Sequence, residues 1–225
     1  MKTIVCIAGV KTSGKSTATQ YIKEYYENKG RQVVEAALAD KLKDVCSMAF
    51  GIPRNTFDDQ RYKEIPFRIF NFKQELYSSD IRRVISSFGY DISLPEIAEK
   101  FKNIVGMELE SARHIAQIVG TQVLRAMGDE DIHCKNLELG EDVTLISDAR
   151  FPNEYNYFSN KEGYKFIPLY LAREKAESQV TKDSHVSETS VFLFKDKCIK
   201  VDNNGTREQT KQELFNILDK VNCNL

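Results

Sequence analysis

The chain has 225 residues, of which 41% are hydrophobic, and its 32 basic and 33 acidic side chains give a formal net charge of −1. A chain of this length can bury a substantial core, so we expect a single domain, residues 1–225, that carries an insertion or a lid. Because the charges balance, no overall positive field would attract a nucleic acid or a membrane surface, and neither is expected as a partner.

The cysteines and the apolar runs bear on the compartment. The five cysteines are scattered, odd in number and without C-x-x-C spacing, which argues against a disulfide framework or a zinc site. This pattern is typical of a reducing compartment, so we expect a cytoplasmic protein. The first predicted strand begins beside the N-terminus, and no apolar run approaches membrane-spanning length, so neither a signal peptide nor a membrane segment is expected.

Residues 9–16, Gly-Val-Lys-Thr-Ser-Gly-Lys-Ser, fit the phosphate-binding pattern G-x-x-x-x-G-K-[ST]. An apolar run typical of a buried strand precedes the pattern at 3–8, and apolar residues at helical spacing follow it at 17–29. A glycine loop in this position can wrap its N–H groups around an anion at a helix N-terminus. Lys15 would reach the β- and γ-phosphates of a nucleotide, and the Ser16 hydroxyl can bind Mg²⁺. The predicted nucleotide-binding residues are Gly9, Lys11, Thr12, Ser13, Gly14, Lys15, Ser16 and Thr17.

A second strand is predicted at 32–37, and an amphipathic helix follows it at 41–50. The polar stretch between them, which contains Asp40, Lys41 and Lys43, would lie at the carboxyl end of a strand, where ligands bind in open α/β sheets. The two lysines could hold a second phosphate there. The alternative is an ordinary solvated first turn of the helix.

Residues 53–106 are densely charged, and basic residues alternate there with aromatic ones, for example Arg68, Phe70, Tyr77 and Arg82. Arginines can bind phosphate and rings can stack on a base, so this pattern would suit a nucleotide site. We favour the other interpretation for most of these residues, namely a helical insertion with a small core of its own on the substrate side.

A long helix is predicted at 108–126 from apolar residues at core spacing. Gly120 and Thr121 lie in its middle, and an interior glycine costs about 1 kcal/mol relative to alanine. The glycine therefore indicates either close helix packing or the approach of a ligand. His114 and His133 have no partners at metal-ligand spacing and are expected to be surface or packing residues.

The strand predicted at 143–148 ends in Asp148, in the form of a Walker B strand whose carboxylate can bind Mg²⁺. Arg150 follows at the same sheet edge, where a guanidinium suits a phosphoryl oxygen. A further helix is expected to open at Pro152.

More strands are predicted at 164–171 and 197–201, and a closing helix at 206–221. Pro168 is expected to weaken the first of these strands or to place it near a sheet edge. The polar segment 173–195 is interpreted as a lid, with an ordinary exposed helix and loop as the alternative. Strands and helices thus alternate along the chain, which predicts a doubly wound, three-layer α/β fold with a mostly parallel sheet.

A phosphate loop alone does not decide among the classes of protein that use one. A switch GTPase requires an N-K-x-D motif, which this sequence lacks, and motor or AAA-type ATPases are usually larger, with motifs not found here. A small-molecule kinase needs a second anionic pocket and arginines that close over the transferred group. Lys41, Lys43, Arg150 and Arg173 are suitably placed for this chemistry, so a kinase is favoured.

Six stretches carry a further resemblance. They are 9–16, Leu38-Ala39-Asp40-Lys41-Leu42-Lys43, Gly120-Thr121, Asp148-Ala149-Arg150 with Glu154, Asp183-Ser184-His185-Val186-Ser187-Glu188, and Asn203-Asn204-Gly205. In this order the chain resembles the deoxynucleoside monophosphate kinases of large tailed bacteriophages and related prokaryotic elements. The resemblance spans nearly the whole chain except 53–106, and its most specific parts are D-x-R and D-x-H-x-[ST]-E. His133 stands where many members of that family have tryptophan.

The resemblance implies a P-loop NTPase fold of the nucleotide-kinase type, with ATP and Mg²⁺ as ligands, and the host cytoplasm as location if the protein is viral. It implies transfer of the γ-phosphoryl group of ATP to a deoxynucleoside monophosphate, giving the diphosphate and ADP. Lys15, Arg150 and Arg173 would be catalytic, and Ser16 and Asp148 would hold Mg²⁺. The implied substrate-binding residues are Asp40, Lys41, Lys43, Gly120, Thr121, Arg125, Arg150, Glu154, His185 and Glu188.

Two alternative functions stay open. One is another P-loop kinase, such as a relative of dephospho-coenzyme A kinase, in which Asp40 would act as the base for an alcohol acceptor. The other is a nucleotide-dependent regulatory or DNA-associated ATPase, against which the balanced charge and the lack of a basic stripe speak. If the protein self-associates, a homodimer formed through 53–106 is expected.

Overall fold

The computed structural model describes residues 1–59, 61–67, 75–182 and 184–223, so Arg68, Phe70 and Asp183 of the sequence patterns lie outside the described residues. The described residues form five strands, namely β1 Lys2–Ala8, β2 Val33–Ala36, β3 Val143–Ala149, β4 Tyr164–Ala172 and β5 Ile199–Asp202. The α-helices of the described ranges are α1 Lys15–Glu27, α2 Asp40–Phe50, α3 Arg54–Asp58, α4 Ser78–Ser87, α5 Leu94–Lys100, α6 Ala112–Gln117, α7 Ile132–Lys135, α8 Pro152–Ser159, α9 Glu174–Glu177, α10 Val186–Thr189 and α11 Arg207–Cys223.

The chain forms two compact units. The first, here called the sheet unit, consists of Met1–Leu38 and Leu137–Leu225, and the second, the helical unit, consists of Ala39–Asn136. All five strands belong to the sheet unit. The predicted insertion at 53–106 lies inside the helical unit, which also takes in α2 and α6.

The five strands form one sheet in the order β2-β3-β1-β4-β5, and every pairing in it is parallel. The central strand β1 pairs with both β3 and β4, with Thr3 opposite Val143 on one side and Lys165 on the other. Parallel pairing brings the carboxyl ends of all strands to one edge of the sheet, which is where ligands bind in such folds. The predicted parallel α/β architecture is therefore confirmed.

The core of the sheet unit is apolar on both faces of the sheet. On one face Val5, Ile7 and Leu169 pack against α1 and α11, and each such fully buried aliphatic side chain contributes about 1.5–3 kcal/mol. On the other face the ring of Tyr155 in α8 packs edge-on against Phe166, with ring centroids 5.4 Å apart. Helices thus cover both faces, an arrangement compatible with a three-layer α/β fold.

Of the two expectations for Pro168, a position near a sheet edge is confirmed, whereas its pairing with β1 continues through residue 168. Its strand, β4, lies between β1 and β5, and the edge strands of the sheet are β2 and β5. The pairing of β4 with β5 begins at Leu169, opposite Ile199, so Pro168 comes one residue before the segment that β5 contacts. On that side no N–H is needed from residue 168, so the proline is tolerated inside the strand.

The helical unit has its own hydrophobic core, formed mainly by side chains of α2, α4, α5 and the helical stretch that begins with α6. The helix predicted at 108–126 is only partly right. It begins at Ala112, because the Ser111 hydroxyl caps it by accepting a hydrogen bond from the N–H of His114 at 3.2 Å. From Ile118–Leu124 it widens into a π-helical turn, and Arg125–Met127 is a 3₁₀ turn.

Gly120 in the π-helical turn is explained by packing. A Cβ atom at this position would come within 2.7 Å of Cδ2 of Leu42, closer than real Cβ contacts allow. The sequence left two explanations for this glycine, close helix packing or the approach of a ligand, and the structure shows close helix packing.

Gly120→Ala is therefore expected to lower the free energy of unfolding by about 1 kcal/mol, because overpacking of about 1–3 kcal/mol exceeds the gain in helix propensity of about 1 kcal/mol. Urea unfolding of the single variants and of Gly120→Ala combined with Leu42→Ala tests this. Because Leu42→Ala removes the colliding methyl group, the two losses should not add. Additive losses would mean that the clash is not the cause.

Among the helices of the described residues, none is both long and apolar enough to cross a membrane.

Candidate functional site

The predicted phosphate loop lies between the end of β1 at Ala8 and the start of α1 at Lys15. Gly9 is required by its surroundings, since a Cβ atom there would lie 2.6 Å from Oγ of the buried Ser13 and 3.2 Å from the carbonyl oxygen of Leu171. Gly14 precedes the helix with φ 99°, in the left-handed region that favours glycine. Both glycines of the pattern are thus required, Gly9 by the space around it and Gly14 by its backbone conformation.

The amino group of Lys15 lies over the loop. Its Nζ donates hydrogen bonds to the carbonyl oxygens of Gly9 and Val10, each at 2.7 Å. Neutral carbonyls are weaker partners for an ammonium than an anionic oxygen. The side chain is thus held beside the loop in a position from which it can bind an anion.

Thr12 carries backbone strain within the loop. Its φ is 63°, and it is the one non-glycine residue with positive φ in the described part of the chain. A β-branched residue in the left-handed region is a genuine outlier and costs about 1–2 kcal/mol. The carbonyl oxygen of Thr12 accepts a hydrogen bond from Nη1 of Arg173 at 3.1 Å, so Arg173 contacts the loop at its strained residue.

Thr12→Gly is expected to raise the free energy of unfolding by about 0.5–1 kcal/mol, because glycine removes the left-handed strain but is more flexible when unfolded. Thr17→Gly is the matched control, since Thr17 lies in helix α1 and glycine there should cost about 0.5–1 kcal/mol. Denaturant unfolding of both variants measures the difference. A Thr12→Gly protein that is less stable than the wild type would contradict the assigned strain.

Asn203 supports the loop through a hydrogen bond to its main chain. Its Nδ2 donates to the carbonyl oxygen of Ser13 at 2.5 Å, and its Oδ1 accepts from the Thr210 hydroxyl at 2.7 Å. A Cβ atom at Gly14 would collide with the Asn203 amide, which is a second reason for glycine at that position. Sequence reasoning noted Asn203 only as part of a motif, and its role as a support of the loop was missed.

Asp148 lies near the end of β3, the strand beside β1. Its Oδ1 accepts a hydrogen bond from the backbone N–H of Leu38 at 2.8 Å, which ties the segment after β2 to the end of β3. The carboxylate therefore lies at the carboxyl edge of the sheet, as predicted. The Ser16 hydroxyl is exposed in the first turn of α1, at the same edge.

Arg150 follows β3, and two buried glutamates bind it, one at its backbone N–H and the other at its guanidinium. Oε2 of Glu154 accepts the N–H of Arg150 at 2.6 Å and that of Phe151 at 3.0 Å. Oε1 of Glu188 accepts Nη1 of Arg150 at 2.7 Å, and Oε2 of Glu188 accepts the N–H of Lys11 in the loop at 2.9 Å. Arg150 of D-x-R, Glu188 of D-x-H-x-[ST]-E and Lys11 of the loop are thereby brought together.

His185 serves the short helix that carries Glu188. Its Nδ1 accepts the N–H of Ser187 at 3.2 Å and lies 2.9 Å from the Ser187 hydroxyl oxygen. Its carbonyl oxygen accepts the N–H of Glu188 at 2.8 Å. The ring of His185 therefore caps α10, the helix that carries Glu188.

The lysines predicted to hold a second phosphate have partners within the helical unit. Nζ of Lys43 lies 2.9 Å from Asp58 and 3.5 Å from Asp40, and Arg54 contacts Asp40 at 3.1 Å. Burial favours the neutral form of Asp58, but hydrogen bonds and charges from Lys43 and Arg54 outweigh it and lower its pKa. Arg54 was not among the predicted site residues, although its i, i+4 spacing to Asp58 is a helix ion-pair signal.

The remaining predicted residues of the helical unit also have internal partners. Nζ of Lys41 bonds to Oδ1 of Asn136 at 2.5 Å and lies 4.9 Å from the Phe88 ring centroid. Nη1 of Arg125 donates to the carbonyl oxygen of Glu130 at 3.0 Å, and Thr121 is half-buried. Lys41 and Arg125 are thus bonded to groups of their own unit.

His133 was expected to be either a surface residue or a packing residue, and it is a packing residue. It is 7% exposed, its ring meets that of Phe88 edge-on at 6.1 Å, and its Nε2 lies 3.3 Å from the carbonyl oxygen of Gly120. His114 sits at the start of α6, where its Nδ1 accepts the N–H of Glu110 at 3.3 Å.

A cavity of about 460 Å³ lies beside β4 and β5, and none of residues 9–17 lines it. Burial raises the pKa of the Cys198 thiol in its wall to about 12, and burial together with a hydrogen bond to Glu177 raises the pKa of Tyr170. Neither the Cys198 thiol nor the Tyr170 hydroxyl is therefore an activated nucleophile at neutral pH.

The protein-family models and the curated proteins compared with this chain give no match. The resemblance drawn from the motifs therefore stays a prediction.

Proposed function

We propose that the chain is an ATP-dependent deoxynucleoside monophosphate kinase with a P-loop NTPase fold. The observation that carries the proposal is the convergence of three cationic side chains on one glycine loop at the carboxyl edge of a parallel sheet. Lys15 and Arg173 both donate to carbonyl oxygens of the loop, and Arg150 is joined to a loop N–H through Glu188. Three positive groups around a backbone anion site are what phosphoryl transfer requires.

In the proposal the loop and Lys15 hold the β- and γ-phosphates of ATP. The first N–H groups of α1 have no partners inside the helix, and they carry the positive end of its dipole. A nucleotide phosphate is a stronger acceptor for Lys15 than the two loop carbonyls, so it would draw the ammonium away from them. The hydrogen bonds that Lys15 would lose to the loop carbonyls are therefore replaced by hydrogen bonds to the phosphate.

Arg150 is proposed to bind the phosphate of the acceptor. A guanidinium has five N–H donors in a fixed fork, and the contact with Glu188 uses Nη1, which leaves donors for a phosphate. Lys41 and Lys43 were predicted to hold this phosphate as well, and they bond to Asn136 and Asp58 as Arg150 bonds to Glu188. An acceptor phosphate is a dianion near neutral pH and needs no general base.

The residues proposed for Mg²⁺ are Ser16 and Asp148. A hydroxyl and a carboxylate are the oxygen donors that Mg²⁺ takes, and this ion usually binds few protein groups beside phosphates and water. When bound, it would neutralise charge on the phosphates. Arg173, at the start of the segment 173–195, is proposed to stabilise charge on the transferred group, and that segment to exclude water.

A coupled assay of ADP release tests the function. MgATP is supplied with dAMP, dCMP, dGMP, dTMP, the matching ribonucleotides, dephospho-coenzyme A or DNA. We expect rapid release that depends on at least one deoxynucleoside monophosphate. Release that requires dephospho-coenzyme A would indicate the alcohol kinase, and release stimulated by DNA in a salt-sensitive way would indicate the ATPase. Slow release that ignores every acceptor would contradict a kinase.

A further inference from the structure

Two buried carboxylates serve a single arginine. Glu154 is 3% exposed and Glu188 is 8% exposed, which is unusual because acidic side chains are rarely buried without partners. Glu154 binds the backbone N–H of Arg150, and Glu188 binds its guanidinium. The two carboxylates come from different elements, α8 and α10, so the fold holds this arginine from two directions.

Glu188 also binds the phosphate loop. One carboxylate oxygen lies 2.7 Å from Nη1 of Arg150, and the other lies 2.9 Å from the backbone nitrogen of Lys11. A single carboxylate group therefore spans from the guanidinium to the main chain of the loop. Arg150 is thereby held close to the loop, although 138 residues of sequence lie between it and Lys11.

The segment 173–195, which carries Glu188, contacts the loop at two points. At its start Arg173 donates to the carbonyl oxygen of Thr12, and near its end Glu188 accepts from the N–H of Lys11. The two attachment points are consecutive residues of the loop. A movement of this segment would therefore move the Arg150 guanidinium, because Glu188 is bonded to it.

A direct contact between Glu188 and a phosphate is physically unfavourable. Both would be negatively charged, and their repulsion is strong in a site that excludes water. The carboxylate already accepts hydrogen bonds from two donors. The resemblance implies substrate binding by Glu188, but its contacts support a role exerted through Arg150.

We propose that Glu188 is a positioning residue that fixes the guanidinium of Arg150 beside the phosphate loop for transfer to the acceptor. The role rests on the proposed kinase function. A misplacement of about 1 Å in a group that aligns reactants can cost about 100-fold in rate, so the contact is worth testing kinetically.

The test compares Glu188→Gln, Arg150→Ala and the double variant with the wild type. Glutamine keeps the shape of the side chain but loses the charge that holds Arg150. We expect kcat with a deoxynucleoside monophosphate to fall about 10–100-fold or KM for it to rise similarly, with the Kd for ATP changed less than about threefold. Glu177→Gln is the control, because Glu177 lies in the same segment but bonds to Tyr170, and it should keep kcat within about twofold.

The double variant separates positioning from a general structural role. If Glu188 acts through Arg150, then Glu188→Gln should lower kcat little further in the Arg150→Ala protein. A full further loss in that background would overturn the proposal, and so would a Glu188→Gln protein with wild-type kcat and KM. A wild-type protein that releases no ADP in response to any acceptor would overturn the kinase function, and this role with it.

Thermal unfolding provides a readout besides activity. The midpoint of each single variant should fall, and the double variant should lose less than the sum, because the two side chains are partners in one buried pair. Independent losses would mean that the two side chains are not coupled, which contradicts the proposal.

Discussion

Lys15→Met should lower kcat/KM for phosphoryl transfer by about 10²–10³-fold or more while the protein stays folded. The reason is that Lys15 donates from within the loop, and removal of one preorganised donor to a developing negative charge has an effect of this size. Its Nζ bonds to the carbonyl oxygens of Gly9 and Val10 and takes no part in the apolar core of the sheet unit, so the protein should stay folded without it. Steady-state kinetics and circular dichroism check both parts.

Lys23→Met is the matched control for this prediction. Lys23 lies on the same helix and makes a surface ion pair with Glu35 at 3.1 Å, which is worth little to stability. Its loss should leave kcat/KM within about twofold of the wild type. Near-wild-type turnover by Lys15→Met would remove the loop from the mechanism, whatever the control shows.

Arg150→Ala should change both activity and stability. With the guanidinium gone, KM for the acceptor should rise or kcat should fall, and the Glu188 carboxylate is left buried without its charge partner. Breaking a buried pair from one side usually costs about 3–5 kcal/mol, although the arginine here is 30% exposed and the lower end is expected. Kinetics with varied acceptor and with varied ATP, together with denaturant unfolding, measure the two effects.

Arg150→Lys separates the two effects of the arginine. A lysine keeps the charge beside Glu188 and should restore much of the stability, but it lacks the planar fork that binds a phosphate in two places. Kinetics should therefore stay impaired while unfolding returns toward the wild type. An Arg150→Ala protein in which only the affinity for ATP changes would show that the acceptor is bound elsewhere.

The strand, loop and helix at the N-terminus could be predicted from the sequence because their determinants are local. The apolar run at 3–8 corresponds to β1, and the helical spacing at 17–29 corresponds to α1, Lys15–Glu27. The glycines of the loop are needed by neighbours within a few residues as well as by distant ones. Local periodicity and turn-forming residues were therefore sufficient to predict most of this part of the fold.

The sequence is least informative where distant parts of the chain decide the outcome. Pro168 was expected to weaken its strand or to place it near a sheet edge, and it does not interrupt β4, because pairing between segments far apart in sequence leaves residue 168 without a partner in β5. The helix predicted at 108–126 changes to a π-helical turn where Gly120 meets Leu42, a contact that periodicity does not encode. In both cases tertiary packing overrode a correct local tendency.

The amino-acid sequence by itself determined which chemical groups this protein carries and that a glycine loop follows its first strand. The tertiary structure decided which partner each charged group has. Lys43 bonds to a carboxylate of its own unit. Glu188 bonds both to Arg150 and to Lys11 of the loop, which lies 177 positions before Glu188 in the sequence. The physical reason is that periodicity reports burial along one element, whereas a hydrogen bond or an ion pair depends on distances of about 3 Å between elements that only the folded chain brings together.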